Sequence, residues 1–390
     1  MLNKYVFVLF FSFFLVGCAN KNKSVVVDQE VDQEVDQEVL LNQTPEIVLS
    51  ISEYPSWSSM LVAELLDLVD GEAGALGPIE KKHNIDLVYE LRDYDNSITL
   101  YTSAVADVVT ITNEDIAPVS LARTSVAFCP SSTSNGGDAL VTLGVKDLDD
   151  LQNFPTYGLE KSVAQFAFHQ ELVSANKDPS KYEFKNMDPE AATNALIQGQ
   201  DGINAIHVWN PYIVRILEEQ PKAKILIDSS AIPNQIVDMF VMSKDTWDKP
   251  YGKQAAACVS DVFYSVCDLL GNSLVGDTPG TLHEAQVAVG GLDEVERQTL
   301  KLLGAKFGDF DDYQMLMAVR QTRFYNNPQD AFGLFESETF QNFCSKEMLD
   351  SSVAIGMLEK DDVPTFSFDG SGEYDVLFTT EALDLLDSSK

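Results

Sequence analysis

A chain of 390 residues can bury one large core or two medium ones, and two lobes is the better expectation. Its 26 lysines and arginines stand against 61 acids, a formal charge of −35, and no basic block appears, which argues against nucleic acid as a partner. Such acidity serves solubility, and its field accommodates a cationic or neutral ligand more easily than an anion.

Residues 1–18 read as a targeting segment outside the fold. Lys4 precedes an apolar run from Tyr5 to Val16, interrupted only by Ser12, and then Leu15-Val16-Gly17-Cys18. The run is too short to span a bilayer, which takes about 20 residues. Leu-Val-Gly-Cys resembles the bacterial lipobox, so Cys18 is expected to carry lipid and hold the protein to a membrane. Residues 19–45 follow as an acidic tether in which VDQE occurs three times between Val27 and Glu38.

The folded part is expected from residue 46. Ile47 to Ile51 reads as a strand, Tyr54-Pro55-Ser56-Trp57 as the loop at its end, and Met60 to Leu68 as an amphipathic helix. Helix is expected from Leu76 to His83 and from Asn96 to Ala104. Strands are expected at Asp86–Leu91, at Asp107–Ile111 (running into Thr112-Asn113-Glu114-Asp115), and at Thr124–Phe128. Ser131 to Asp138, SSTSNGGD, reads as a glycine-containing loop.

A second unit starts near Val145. Its expected elements are a strand at Thr156–Leu159, a helix at Lys161–Ala175, a strand at Tyr182–Asn186 and a helix at Pro189–Gln198 stopped by Gly199. The stretch from Ala205 to Met242 organises the rest. Ala205–Val208 is a strand broken by Trp209-Asn210-Pro211, a helix follows, and Lys224–Ile227 is the next strand, at the spacing of a parallel βαβ unit. Ile236 to Met242 is apolar enough for a buried strand, apart from Asp238. Lys244 to about Ser351 reads as mostly helical, including Val295–Phe307 and Tyr313–Phe324, and strands are expected at Thr365–Phe368 and Tyr374–Thr379. The boundaries this implies are lobe 1 at 46–142, lobe 2 at 143–235, and a return to lobe 1 at 236–390.

Enzymatic motifs are scarce: there is no Gly-rich phosphate loop, no HExxH and no GxSxG. His207 is the only histidine near the strand edges, and no nucleophile lies beside it. Cys129, Cys258, Cys267 and Cys344 show no metal-ligand spacing, and Cys258 and Cys267 share a helix at about 13 Å, too far for a disulfide. No metal or cofactor is expected.

Ligands of open α/β sheets bind where strands end and helices begin. Those loops bring Trp57, Asn113, Glu114, Asp115, Asn135 and Asp138 from the first lobe, Glu160, Ser162, Trp209 and Asn210 from the second, and Asp238 from the return strand. Carboxylates grip planar cations with two prongs, and indole faces attract cations. Trp57 and Trp209 read equally as lobe core, and Asp115 as an N-cap of the short helix after it. Asp238 is the least easily set aside, because a buried acid without a partner is costly.

Several motifs together resemble the solute-binding proteins of bacterial ABC transporters, of the nitrate/sulfonate/taurine type. They are Asp147-Leu148-Asp149-Asp150-Leu151, Ala195-Leu196-Ile197-Gln198-Gly199-Gln200-Asp201, Trp209-Asn210-Pro211 and Asp228-Ser229-Ser230-Ala231-Ile232-Pro233. Ile111 to Asp115, Ser134 to Asp138, Ile232 to Met239 and Phe366 to Gly370 look most similar to the group encoded beside urea carboxylase. The resemblance implies a two-lobed α/β periplasmic-binding-protein fold of type II, with two crossovers and a helical C-terminal extension. It further implies a monomeric, non-enzymatic receptor at the periplasm or cell surface that closes on a small solute and hands it to a permease. The implied ligand is urea or a guanidine-like compound. The rival expectation is an enzyme on the same fold, similar to the thiamine-precursor synthases, in which His207 or Lys161 would do the chemistry.

Overall fold

A computed structural model describes residues 44–387; the targeting segment, Cys18 and nearly all of the tether lie outside the described residues. Thirteen strands occur among them: β1 Glu46–Ile51, β2 Asp86–Leu91, β3 Val108–Thr112, β4 Ser125–Ser134, β5 Asp138–Leu143, β6 Thr156–Gly158, β7 Phe184–Asn186, β8 Ala205–Trp209, β9 Ala223–Asp228, β10 Val237–Ser243, β11 Thr322–Phe324, β12 Phe366–Ser367 and β13 Val376–Phe378. They form two sheets. The larger runs β12-β13-β4-β10-β3-β1-β2, with β11 added on β4, and the smaller runs β7-β6-β8-β5-β9.

The two sheets share one design. In each, two parallel neighbours flank the first strand (β2 and β3 beside β1, β7 and β8 beside β6). A fourth strand then inserts antiparallel and carries the next one (β10 before β4, β5 before β9). The inserted strand is in both cases the first one formed after the chain crosses from the other sheet. Parallel strands covered on both faces are near-continuous apolar runs, and β3, VVTIT, is buried at every position. The interior of β5 obeys the strand period of two. Ala139 and Val141 enter the core under helices Pro189–Ile197 and Tyr212–Glu219, while Leu140 enters the core with Phe168 and Leu172.

Several expectations change here. The run Ser131–Ser134 is not loop but the end of β4, because Ser132 and Thr133 pair with β10 on one edge and with β11 on the other. Thr322–Phe324 is that β11 strand rather than the end of a helix, which stops at Arg320. The βαβ unit of β8, helix Tyr212–Glu219 and β9 is present, but β5 lies between its strands, antiparallel to both. Since Asp138–Leu143 pairs wholly in the smaller sheet, the first crossing falls at 135–137, ahead of the boundary expected after residue 142. The second crossing spans 229–236.

The crossings are tied to each other: Ser134 and Ser229 hydroxyls lie 2.7 Å apart, and Gly136 N–H donates to Ser229 Oγ at 2.7 Å. The C-terminal helices cover the larger sheet, with the long helix Gly252–Leu270 at their centre. All four cysteines among the described residues are buried free thiols. No helix there is long and apolar enough to cross a membrane.

Candidate ligand-binding cleft

A cavity of about 380 Å3 opens between the sheets, lined from both lobes. Its walls are a row of rings. Tyr54 and Trp57 follow the end of β1, and Tyr94 begins the helix Tyr94–Thr102 beyond β2. Trp209 ends β8 and Tyr212 starts the next helix. Tyr54 and Trp57 have ring centroids 5.1 Å apart, Trp57 stacks on Tyr94 at 5.8 Å and 11°, Tyr94 meets Trp209 edge-on at 6.1 Å, and Trp209 meets Tyr212 at 6.2 Å. The Tyr94–Trp209 contact carries the row from one lobe to the other.

Carboxylates stand behind and beside the rings. Asp138 and Asp238 line the cavity and are 2% and 1% exposed. Asp238 Oδ2 accepts from Ser132 Oγ at 2.5 Å. Asp115 accepts from Tyr94 Oη at 2.7 Å and from the Val163 N–H at 3.3 Å. It therefore caps the first turn of the helix Val163–Ser174 in the opposite lobe, and makes no cap to its own short helix Ile116–Ser120, the role the sequence suggested. Glu114 is wholly buried, and neither of its oxygens has a hydrogen-bond partner.

Among the described residues, none of the ion pairs includes Glu114, Asp115, Asp138 or Asp238. Burial raises the pKa of all four: Asp115 to about 6, Asp138 to about 6, and Glu114 and Asp238 well above the carboxylate range. Arg92 lines the cavity at its exposed rim, where its guanidinium reaches Glu90 at 2.5 Å and the Leu91 carbonyl at 2.7 Å. The arrangement is a ring-walled cleft with buried carboxyl groups whose charged forms burial disfavours, none of them paired with a side-chain cation.

No family model matches the sequence, and no curated protein matches it. Solved structures do match its fold. The alkanesulfonate-binding protein SsuA from Xanthomonas axonopodis pv. citri, bound to MOPS, superposes with a TM-score of 0.60 at 12% identity, over 82% of this chain and 96% of that one. The chain has the type II periplasmic-binding-protein fold. The periplasmic aliphatic sulphonate binding protein SsuA from Escherichia coli gives 0.54 at 13% identity, over 80% and 91%. A ligand-binding component of an ABC-type import system from Staphylococcus aureus, with zinc bound, gives 0.56 at 11% identity, over 82% and 95%. In a periplasmic-binding-protein fold the space between the lobes is the default ligand position, as domain interfaces generally are.

Of the residues singled out in the sequence, Trp57, Asp138, Trp209 and Asp238 line the cavity together. The others do not line it. Asn113 is bound into the frame, its Oδ1 accepting from Val237 N–H at 2.7 Å and its Nδ2 donating to the Gln235 carbonyl at 3.1 Å. Asn135 is exposed, and its N–H donates to the Gln321 carbonyl; Asn210 Nδ2 donates to Gln321 Oε1 at 2.8 Å, so Gln321 ties the first crossing to the end of β8. Glu160 is exposed, while Ser162 N-caps the helix Val163–Ser174 by accepting from Ala164 N–H. Glu114 lies buried beside Asp115, whose charge helps raise its pKa.

Tyr54, Tyr94 and Tyr212 were not anticipated. Their one sequence signal is position: each sits within three residues of a strand end or at the start of a helix facing the cleft. His207 is two residues before Trp209 on the same face of β8, but is packed in the core 6.1 Å from Phe168 and 3.2 Å from Glu171, and burial lowers its pKa to about 4. Neither His207 nor Lys161 lines the cavity.

Proposed function

We propose that this protein is the solute-binding component of an ABC importer, held at a bacterial membrane through a lipidated Cys18. It captures a small nitrogenous cation of the guanidine type between its lobes and presents it to a permease. The observation that carries the reading is the set of buried carboxylates at the cleft with no cationic partner among the described residues. A cation brings the missing charge, Asp138 or Asp238 accepts its N–H groups, and Trp57 and Trp209 offer π faces. A sulfonate, the ligand class named for two of the structural neighbours, would meet those carboxylates, and Arg92, which lines the cavity, is engaged by Glu90. The enzymatic alternative loses support because its two candidate groups stand away from the cavity.

Urea is the second reading. Trp57 lines the cavity with its Nε1 buried and without a hydrogen-bond acceptor, and a urea oxygen would supply one. Thermal-shift and calorimetric titration with guanidinium, urea, taurine and nitrate tests both. Stabilisation by guanidinium or urea is expected, and stabilisation by an anion alone overturns the reading.

A further inference from the structure

The cavity differs at its two ends. Its inner end holds Asp138 and Asp238, on strands beside the crossings and almost fully buried. Its mouth holds Glu53 and Asp93 from the first lobe and Glu190 from the second, all exposed, together with Arg92, whose guanidinium is paired with Glu90. The ring row connects the ends. Tyr54, at one end of the row, is raised by burial and then by the charges of Asp238 and Asp138. Tyr212, at the other, is raised by burial and then by Asp188, Glu53 and Glu190. An acid cluster therefore stands at each end of a band of aromatic faces. Between the mouth acids the charges repel: Glu190 raises the pKa of Glu53 across the lobes, second only to burial.

We propose that the cleft takes a ligand with two cationic nitrogens joined by a short aliphatic chain, an α,ω-diamine or an aminoalkylguanidine. One nitrogen lies at Asp138 and Asp238, the other between Glu53 and Glu190, and the methylenes lie along Trp57, Tyr94 and Trp209. This rests on the cation-binding reading above and specifies it. A guanidinium ion alone fills a fraction of 380 Å3 and leaves one acid cluster uncompensated. Each methylene taken from water onto the rings is worth about fourfold in affinity. The outer nitrogen also has a mechanical effect, because it removes the Glu53–Glu190 repulsion that opposes approach of the lobes, so ligand length is read as closure.

Isothermal titration calorimetry on the full chain, with butylamine, diaminobutane, diaminopentane and guanidinium, tests this. At least one diamine is expected to bind tenfold or more tightly than butylamine. The double variant Glu53→Gln/Glu190→Gln, at exposed positions where folding is checked by thermal melting, is expected to weaken the diamine about tenfold more than butylamine. Diamines no tighter than butylamine, or an advantage that survives the double variant, overturn the two-ended site. If guanidinium or butylamine still binds in that case, the cation reading stands and only the two-ended site falls. If no nitrogen base binds, both fall.

Discussion

Asp138 and Trp209 are direct partners in the antiparallel ladder of β5 and β8, so a carboxylate and an indole leave the sheet side by side on one face and enter the cleft together. Asp138 is the first strand residue after the crossing at 135–137. It therefore stands beside a passage of the chain between the two sheets. Raising its pKa from 3.8 to about 6 costs the ligand-free fold about 3 kcal/mol at neutral pH. Asp138→Asn is expected to melt higher than the parent without ligand, and to bind guanidinium at least tenfold more weakly. Differential scanning calorimetry and titration check the two signs, and a variant that melts lower and binds equally well contradicts the assignment.

The pH dependence follows from the same shift. A carboxyl raised by burial contributes stability that is complete below its unfolded pKa of 3.8 and is lost as pH climbs through about 6; Asp115 and Asp138 both behave so. A cation binds the ionised form. Guanidinium affinity is therefore expected to rise between pH 5 and pH 7 and to level off above. His207 does not offset this, since burial holds it neutral down to about 4. Titrations at constant ionic strength across that range measure the slope, and Asp138→Asn is expected to flatten it.

Trp57 and Trp209 border the cavity from opposite lobes, with Tyr94 between them. Cation–π contacts are worth about 0.5–2 kcal/mol each, so Trp57→Ala and Trp209→Ala are each expected to lower cation affinity about two- to thirtyfold. Phe at either position should restore part of it. Trp209→Ala has the further effect of cutting the Tyr94–Trp209 contact between lobes, and small-angle scattering should show it more open than Trp57→Ala.

The sequence pattern reaches far into this fold because its strands are short apolar runs punctuated by polar turns. Asp238 stood out as an acid in the run Ile236–Met242, and it lines the cavity. Local patterning could not show that Ser131–Ser134 extends β4, because four small polar residues look like loop until β10 and β11 flank them. Nor could it pick out Tyr94, whose neighbours Trp57 and Trp209 lie 37 and 115 residues away and meet it only through tertiary packing. The amides Asn113, Asn135 and Asn210 had the right chemistry for a ligand and the right loop positions. Long-range partners (Val237, Gln235 and Gln321) absorb the side chains of Asn113 and Asn210 instead, and Asn135 is exposed.

Asn113 gives the sharpest test of that division between frame and cleft. Its backbone N–H donates to the Val237 carbonyl, its Oδ1 accepts from Val237 N–H, and its Nδ2 donates to the Gln235 carbonyl and lies 3.3 Å from Met348 Sδ. The side chain therefore pins the start of β10 to the end of β3, one residue from Asp238, without lining the cavity. Asn113→Ala would orphan a buried donor and an acceptor, at roughly 1–3 kcal/mol for each buried group left unsatisfied. The variant is expected to melt several degrees lower. At a temperature where it remains folded, guanidinium affinity should stay within a few-fold of the parent, because the carboxylate that holds the cation is still supplied by its own strand. A variant with parental melting and abolished binding would place Asn113 on the ligand instead, and would return it to the role that its position after β3 first suggested.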